Sequence, residues 1–266
     1  MRSWRGALGA AVLALSLCCG CGRGGRVAVN VVGSTSIQPF AELLAQEYGK
    51  RPEGRLVEVQ GGGSTAGLQA VANGLADIGS CSRSLNAEEA GRFQAVVIAR
   101  DGLAVIVNPA NPIGGLSLAQ LRRLFSGQTK NWSEVGGREG PVRPITREEG
   151  SGTRESFVHL VMGREPISRR ALTQESNGAV RELVKGDPAA IGYMSLGLVD
   201  RAVKAVLVDG AEPTEANVAA GIYGLARPFL FVTRGDPGPE ARKFIEFVLS
   251  AKGQGILKTE GLVGAL

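Results

Sequence analysis

The segment REEGSGTRESF, residues 147–157, combines residue types that can bind an anion. Arg147 and the run Ser151, Gly152 and Thr153 stand directly before apolar residues spaced as on the buried face of a helix. The first turn of a helix leaves backbone N–H groups unpaired and carries the positive end of the helix dipole. A serine or threonine there is usually only a helix cap. The added arginine and glycines favour a second interpretation, a site for a small anion.

Two further turns repeat this chemistry. Gly33 to Ser36 stand between a strand and a helix in VVGSTSIQPF, and Gly61 to Thr65 occupy the same place in VQGGGSTAGL. In open α/β sheets, ligands bind at the carboxyl ends of strands, where helix N-termini converge. None of the turns has the lysine of the nucleotide-binding motif GxxxxGK[ST]. One turn alone favours a simple cap, but three together predict neutral donors around a small oxyanion.

Strand-like and helix-like runs alternate along the chain, which predicts an α/β protein with largely parallel sheets. The β-rich runs VIVNPANP, residues 105–112, and ARPFLFVTRG, residues 226–235, are candidate crossings between two lobes. We therefore expect lobe I to contain residues 27–107 and 227–266 and lobe II residues 108–226, joined by a two-segment hinge.

The first residues have the pattern of an export signal. Arg2 and Arg5 precede an apolar run that is too short to span a bilayer, and LCCGC follows that run. The pattern is similar to a bacterial lipoprotein signal over residues 1–20, with Cys21 lipidated, or Cys19 as the second choice. Residues 21–26 would then be a short tether. The alternative is an ordinary secretory signal with incidental cysteines.

The composition argues against several classes of function. The formal net charge is +5, but no lysine- and arginine-rich patch with interleaved aromatic residues is present, so we expect no nucleic-acid partner. His159 is the only histidine, which argues against a Ser-His-Asp triad and against a metal cluster. We expect no cofactor, no bound metal and no enzymatic activity, although Ser-Lys catalysis stays open. Cys81 is expected to be a small buried residue.

Five segments in order resemble one family over nearly the whole chain after residue 26: GSTSIQPF, GGGSTAGLQAVANGLADIG, LFSGQTKNWSEVGG, TREEGSGTRESF and AAIGYMSLG. They look like the phosphate-binding protein of bacterial ABC-type phosphate importers. The resemblance implies a periplasmic-binding-protein fold similar to type II, with two α/β lobes and a ligand cleft between them. It also implies a monomer that delivers inorganic phosphate to a membrane permease while a lipid anchor holds it to the cell envelope.

The resemblance also implies which residues contact phosphate. Asp77 matches an acid that accepts the proton of a P–O–H group, which would disfavour sulfate. Glu149 matches an acid that holds the arginine in place. The phosphate contacts implied by the family motifs are Thr35, Ser36, Ser64, Asp77, Arg147, Ser151, Gly152 and Thr153, with Ser34 and Glu149 as further candidates.

Other interpretations of the same residues remain open at this point. Asp77 could simply cap or solvate the end of NGLAD, and Arg147 could be a surface partner of Glu148 or Glu149. The ligand could be another tetrahedral oxyanion such as sulfate, molybdate or phosphite. A hydrolase on the same fold and a structural or adhesive lipoprotein are the alternatives from other classes.

Overall fold

The computed structural model describes residues 28–265. The predicted signal, the tether and Cys21 lie outside the described residues. The strands in chain order are β1 Val29–Gly33, β2 Val57–Gly61, β3 Ile78–Cys81, β4 Gln94–Val107, β5 Gly115–Leu116, β6 Arg143–Arg147, β7 Leu172–Gln174, β8 Ala190–Ser195, β9 Lys204–Ala205, β10 Leu207–Val208, β11 Ala226–Thr233 and β12 Val263–Gly264.

Helices alternate with these strands, as the sequence predicts. They are α1 Gln38–Gly49, α2 Ser64–Ala72, α3 Ala87–Arg92, α4 Leu118–Ser126, α5 Gly152–Phe157, α6 Asn177–Gly186, α7 Glu215–Ala219, α8 Pro239–Leu249 and α9 Ala251–Thr259. A π-helical turn, Val158–Met162, continues α5. Within the described residues, no helix combines the length and apolar character needed to cross a membrane.

Within the described residues, ten strands form one sheet that continues through β4 from one lobe to the other, and β5 and β10 form a separate two-stranded sheet. The order in the ten-stranded sheet is β2-β1-β3-β11-β4-β8-β6-β7, with β9 and β12 also paired to β4. The first half of β4 pairs with β11 in lobe I, and its second half, from Leu103, pairs with β8 in lobe II. The chain therefore crosses between lobes in the middle of β4, near Asp101, and again near Arg227 at the start of β11. The prediction placed the first crossing later, at the end of β4.

Each lobe has its own core. In lobe I, α1, α8 and α9 cover one face of the sheet, and Phe40, Tyr48, Phe229 and Phe244 are buried there. In lobe II, aromatic rings pack together, and those of Phe157 and Tyr193 are stacked with their centroids 4.0 Å apart. Such close-packed cores make each lobe a rigid support for residues at the ends of its strands.

The parallel strands of both lobes end at the boundary between the lobes. In lobe I, β1 and β3 are parallel and end at Gly33 and Cys81. In lobe II, β6 and β8 are parallel and end at Arg147 and Ser195. The turns that follow these strands therefore face one another across the cleft.

Candidate anion-binding site

Arg147 is the most deeply buried cation of the cleft, with only 1% of its surface exposed. Its Nε and Nη2 donate to the two carboxylate oxygens of Glu148, at 2.9 and 2.8 Å. Nη2 also donates across the cleft to Thr35 Oγ1 at 3.0 Å. Among the described residues, Nη1 has no hydrogen-bond partner although it is buried. Leaving a buried N–H group unpaired costs free energy, so Nη1 is a candidate donor to a bound ligand.

Hydroxyl groups from both lobes surround the same point. Ser36 Oγ of lobe I and Thr153 Oγ1 of lobe II are 2.7 Å apart, and Ser34 Oγ donates to Ser82 Oγ at 2.8 Å. Ser64 Oγ accepts from the N–H of Ser82 at 3.0 Å, so its own proton can be donated elsewhere. These five hydroxyls are at most 3% exposed. An oxyanion would replace the hydroxyl–hydroxyl bonds with stronger bonds to a charged acceptor.

Helix N-termini supply backbone donors beside these hydroxyls. The cap of α5 is Ser151, whose Oγ accepts from the N–H of Arg154, and α2 begins at Ser64. The N–H groups of Gly152 and Thr153 belong to the first turn of α5 and have no acceptor within the helix. The predicted cap is therefore real, and it leaves other first-turn donors available to a ligand.

Glycines allow the lobes to approach closely. A Cβ placed on Gly152 would lie 2.2 Å from Ser64 Oγ in the opposite lobe. The N–H of Thr65 donates to the carbonyl of Gly150 at 3.1 Å, again across the cleft. Gly63 and Gly150 have φ angles of +94° and +82°, which side-chain-bearing residues rarely adopt. The glycines of GGGST and EGSGT thus allow the two lobes to come into close contact across the cleft.

A second buried arginine lies behind the hydroxyls, and the sequence analysis missed it. Arg227 is paired with Asp101, and both are almost completely buried. Burial raises the pKa of Asp101 and lowers the pKa of Arg227, because each charged form loses its hydration. The sequence does contain a signal for this pair, because Asp101 and Arg227 each lie within a largely apolar strand. Charged residues that are buried are normally paired.

Two candidate residues lie elsewhere. Asp77 precedes β3 and is exposed, and its carboxylate accepts from the N–H of Asn30 at 2.8 Å. It stands at the opposite end of the strand from Ser82, roughly 15 Å away at the usual rise per residue. The side chain of Glu149 is 95% exposed, and the acid that holds Arg147 is Glu148. Both acids therefore lie apart from the cluster in the structure, and the phosphate contacts of the other named residues stay a prediction.

Comparison with known proteins assigns the chain to a family. A family model described as a PBP superfamily domain matches residues 22–252. The phosphate-binding protein PstS of Bacillus subtilis is 31% identical over 227 residues, covering 84% of this chain and 75% of that protein. The chain belongs to the PBP superfamily and, within it, to the phosphate-binding proteins of ABC-type phosphate importers.

Solved structures of this family share the architecture. A phosphate ABC transporter substrate-binding protein from Clostridium perfringens, solved with bound phosphate, is 37% identical with a TM-score of 0.85. The two chains overlap over 89% of this chain and 98% of the other. An ABC-type phosphate transport receptor from Vibrio cholerae is 38% identical with a TM-score of 0.75, over 88% and 99% of the two chains. The two-lobed fold expected from the sequence is confirmed, in a family of substrate-binding proteins rather than enzymes.

Proposed function

We propose that this protein captures inorganic phosphate outside the cytoplasm and delivers it to the membrane permease of an ABC importer. The observation that carries the proposal is the unpartnered Nη1 of buried Arg147, which points to an anionic acceptor. Donors from both lobes surround it, as capture by lobe closure requires. The family supplies the identity of the anion, since the Clostridium perfringens relative is described with bound phosphate.

The geometry alone does not separate phosphate from sulfate. Asp77 was the acceptor that would have rejected a fully deprotonated anion, and it lies outside the cluster. Asp101 accepts three bonds, two from Arg227 and one from Ser195, so it is committed to those partners. Discrimination would depend on hydroxyls, which can accept a hydrogen bond as well as donate one. Sulfate therefore belongs in the first experiment as a competitor.

Isothermal titration of the purified protein, stripped of bound ligand by unfolding and refolding, tests the proposal. We expect tight phosphate binding and a rise of about 100-fold in Kd for Arg147→Ala, because charge-assisted hydrogen bonds contribute roughly 1.5–3 kcal/mol each. Arg143→Ala is the matched control, since Arg143 begins the same strand but is exposed. A folded wild-type protein that binds no phosphate would refute the proposal.

We also propose that residues 1–20 are a lipoprotein signal and that Cys21 becomes the lipidated N-terminus. The support is the sequence pattern of charged start, short apolar run and LCCGC. An anchor there would hold the protein at the cell envelope near its permease. The mass of the mature N-terminal peptide distinguishes Cys21 from Cys19 and from an unmodified N-terminus.

A further inference from the structure

A buried ion pair lies where the chain crosses between the lobes. Arg227, at the start of β11, donates from Nε and Nη2 to Asp101 Oδ2 at 3.0 and 2.9 Å. Ser195 Oγ donates to the other carboxylate oxygen of Asp101 at 2.9 Å. The guanidinium also lies 5.2 Å from the ring centroid of Phe229. These contacts fix the direction in which the remaining N–H groups of Arg227 point.

Those remaining groups reach one hydroxyl of each lobe. Arg227 Nη1 donates to Thr153 Oγ1 at 2.8 Å, and Nη2 is 3.3 Å from Ser36 Oγ. Asn177 Nδ2 donates to the same Ser36 oxygen at 2.9 Å, while its own carbonyl accepts from the N–H of Ser195. Arg227 thus contacts a hydroxyl group of each lobe.

Counting the acceptor positions of each hydroxyl oxygen shows which hydroxyl donates in the hydrogen bond between Ser36 and Thr153. A hydroxyl has two acceptor positions and one proton. Asn177 and Arg227 occupy both acceptor positions of Ser36, so Ser36 must donate its proton, here to Thr153. Thr153 then accepts from Ser36 and from Arg227, so its proton must also be donated. When an anion replaces Thr153 as the acceptor of the Ser36 proton, Ser36 can serve the anion only as a donor, whereas Thr153 regains one acceptor position.

We propose that Arg227, held by Asp101, acts with Asn177 as a positioning residue that makes Ser36 an obligatory donor to the ligand. The inference rests on phosphate as the ligand. An obligatory donor requires an unprotonated oxygen opposite it, and dibasic phosphate has three such oxygens whereas the monobasic form has two. The pair would therefore bias the site toward the dibasic anion.

The test is a double variant, Asp101→Leu with Arg227→Met, which keeps the net charge and nearly keeps the volume. Replacing a buried ion pair by apolar residues is often neutral for stability, whereas removing one partner is strongly destabilising. Arg143→Met with Asp187→Leu is the matched control, because this pair is partly exposed and lies at the far end of β6. The melting temperature of each variant reports whether the fold is retained.

The decisive readout is the pH profile of the phosphate Kd, measured below and above neutral pH. The charged side chains of the cluster and of the elements packed against it are Arg83, Glu89, Asp101, Arg147, Glu148, Glu149, Arg154, Glu155 and Arg227. His159 lies on the π-helical turn that continues α5, and a substitution removes it from the comparison. All variants are therefore compared in a His159→Gln background.

We expect wild-type affinity to increase as dibasic phosphate becomes the main form. The double variant should bind about tenfold more weakly and with a flatter profile, because Ser36 without Arg227 can also accept a P–O–H proton. Asn177→Leu, which keeps the ion pair, should flatten the profile in the same direction, and it decides the question if the double variant does not fold. An unchanged profile in a folded variant overturns the inference. A wild type without phosphate binding overturns both this inference and the proposed function.

Discussion

The guanidinium group of Arg147 is held in one orientation and still has one nitrogen that can donate to a ligand. Glu148 and two backbone carbonyls hold Nε and Nη2, so the guanidinium plane has a defined orientation. Nη1 remains for the ligand. Because these contacts already order the side chain in the folded protein, ligand binding does not carry the entropic cost of immobilising it.

Ser64 and Asp77, two candidate phosphate contacts, are expected to respond differently to substitution. Ser64→Ala should raise the phosphate Kd between about 10- and 100-fold, since it removes a buried hydroxyl donor to a charged ligand. Asp77→Asn should change Kd by less than about twofold, because Asp77 is exposed at the other end of β3. Titration calorimetry on both variants checks this contrast. Strong loss of binding in Asp77→Asn would restore the role that the family motif implied.

Elements, rather than single residues, bring the hydroxyls together. The first turns of α2 and α5 meet across the cleft because Gly152 has no side chain where Ser64 Oγ lies. The same contact explains why the serine- and glycine-rich turns recur in both lobes: each turn provides donors, and its glycines let the facing turn approach.

Gly152→Ala should therefore weaken phosphate binding by at least about tenfold with little change in stability of the separate lobes. The added Cβ would lie 2.2 Å from Ser64 Oγ and 2.7 Å from Ser82 Oγ, so the lobes could not close to the same contact. Gly186→Ala is the matched control, since Gly186 ends a helix and no atom lies within 4 Å of its added Cβ. Equal binding by both variants, measured by titration, would show that the cleft closes less tightly than described.

The sequence could predict most of the elements and the anion-binding turns, because both depend on local patterns. Strand–helix alternation and cap-forming residues need only neighbouring positions. The Asp101–Arg227 pair could not be assigned that way, since its partners are far apart in sequence and meet only through strand pairing. The position of Asp77 apart from the cluster also depends on the fold, because the motif ADIG does not say which end of the strand faces the cleft.

At the scale of the whole molecule, two rigid lobes share β4 and meet through polar contacts. Ser36 to Thr153, Arg147 to Thr35 and Thr65 to Gly150 all join lobe I to lobe II. Polar contacts of this kind exchange readily with water or ligand, in contrast to the apolar cores within each lobe. A ligand that bonds both sides should therefore stabilise the molecule as a whole.

Cys81 provides a probe of that coupling. It is fully buried at the end of β3, directly before Ser82 of the cluster, and burial raises the pKa of its thiol. Because Cys81 and Ser82 are adjacent, we expect an opening that exposes the thiol to move Ser82 out of the site as well, so that bound phosphate must be released first. At a free phosphate concentration of 100 times Kd, linkage adds about 2.7 kcal/mol to the cost of opening.

We therefore expect phosphate at that concentration to slow Cys81 alkylation about 100-fold in the otherwise native protein. The rate is measured by mass spectrometry on the peptide that contains Cys81, because three other cysteines precede residue 28. Sulfate at equal ionic strength controls for general salt effects. If phosphate leaves the rate unchanged, the end of β3 opens without disturbing the ligand, and Ser82 does not belong to the binding cluster.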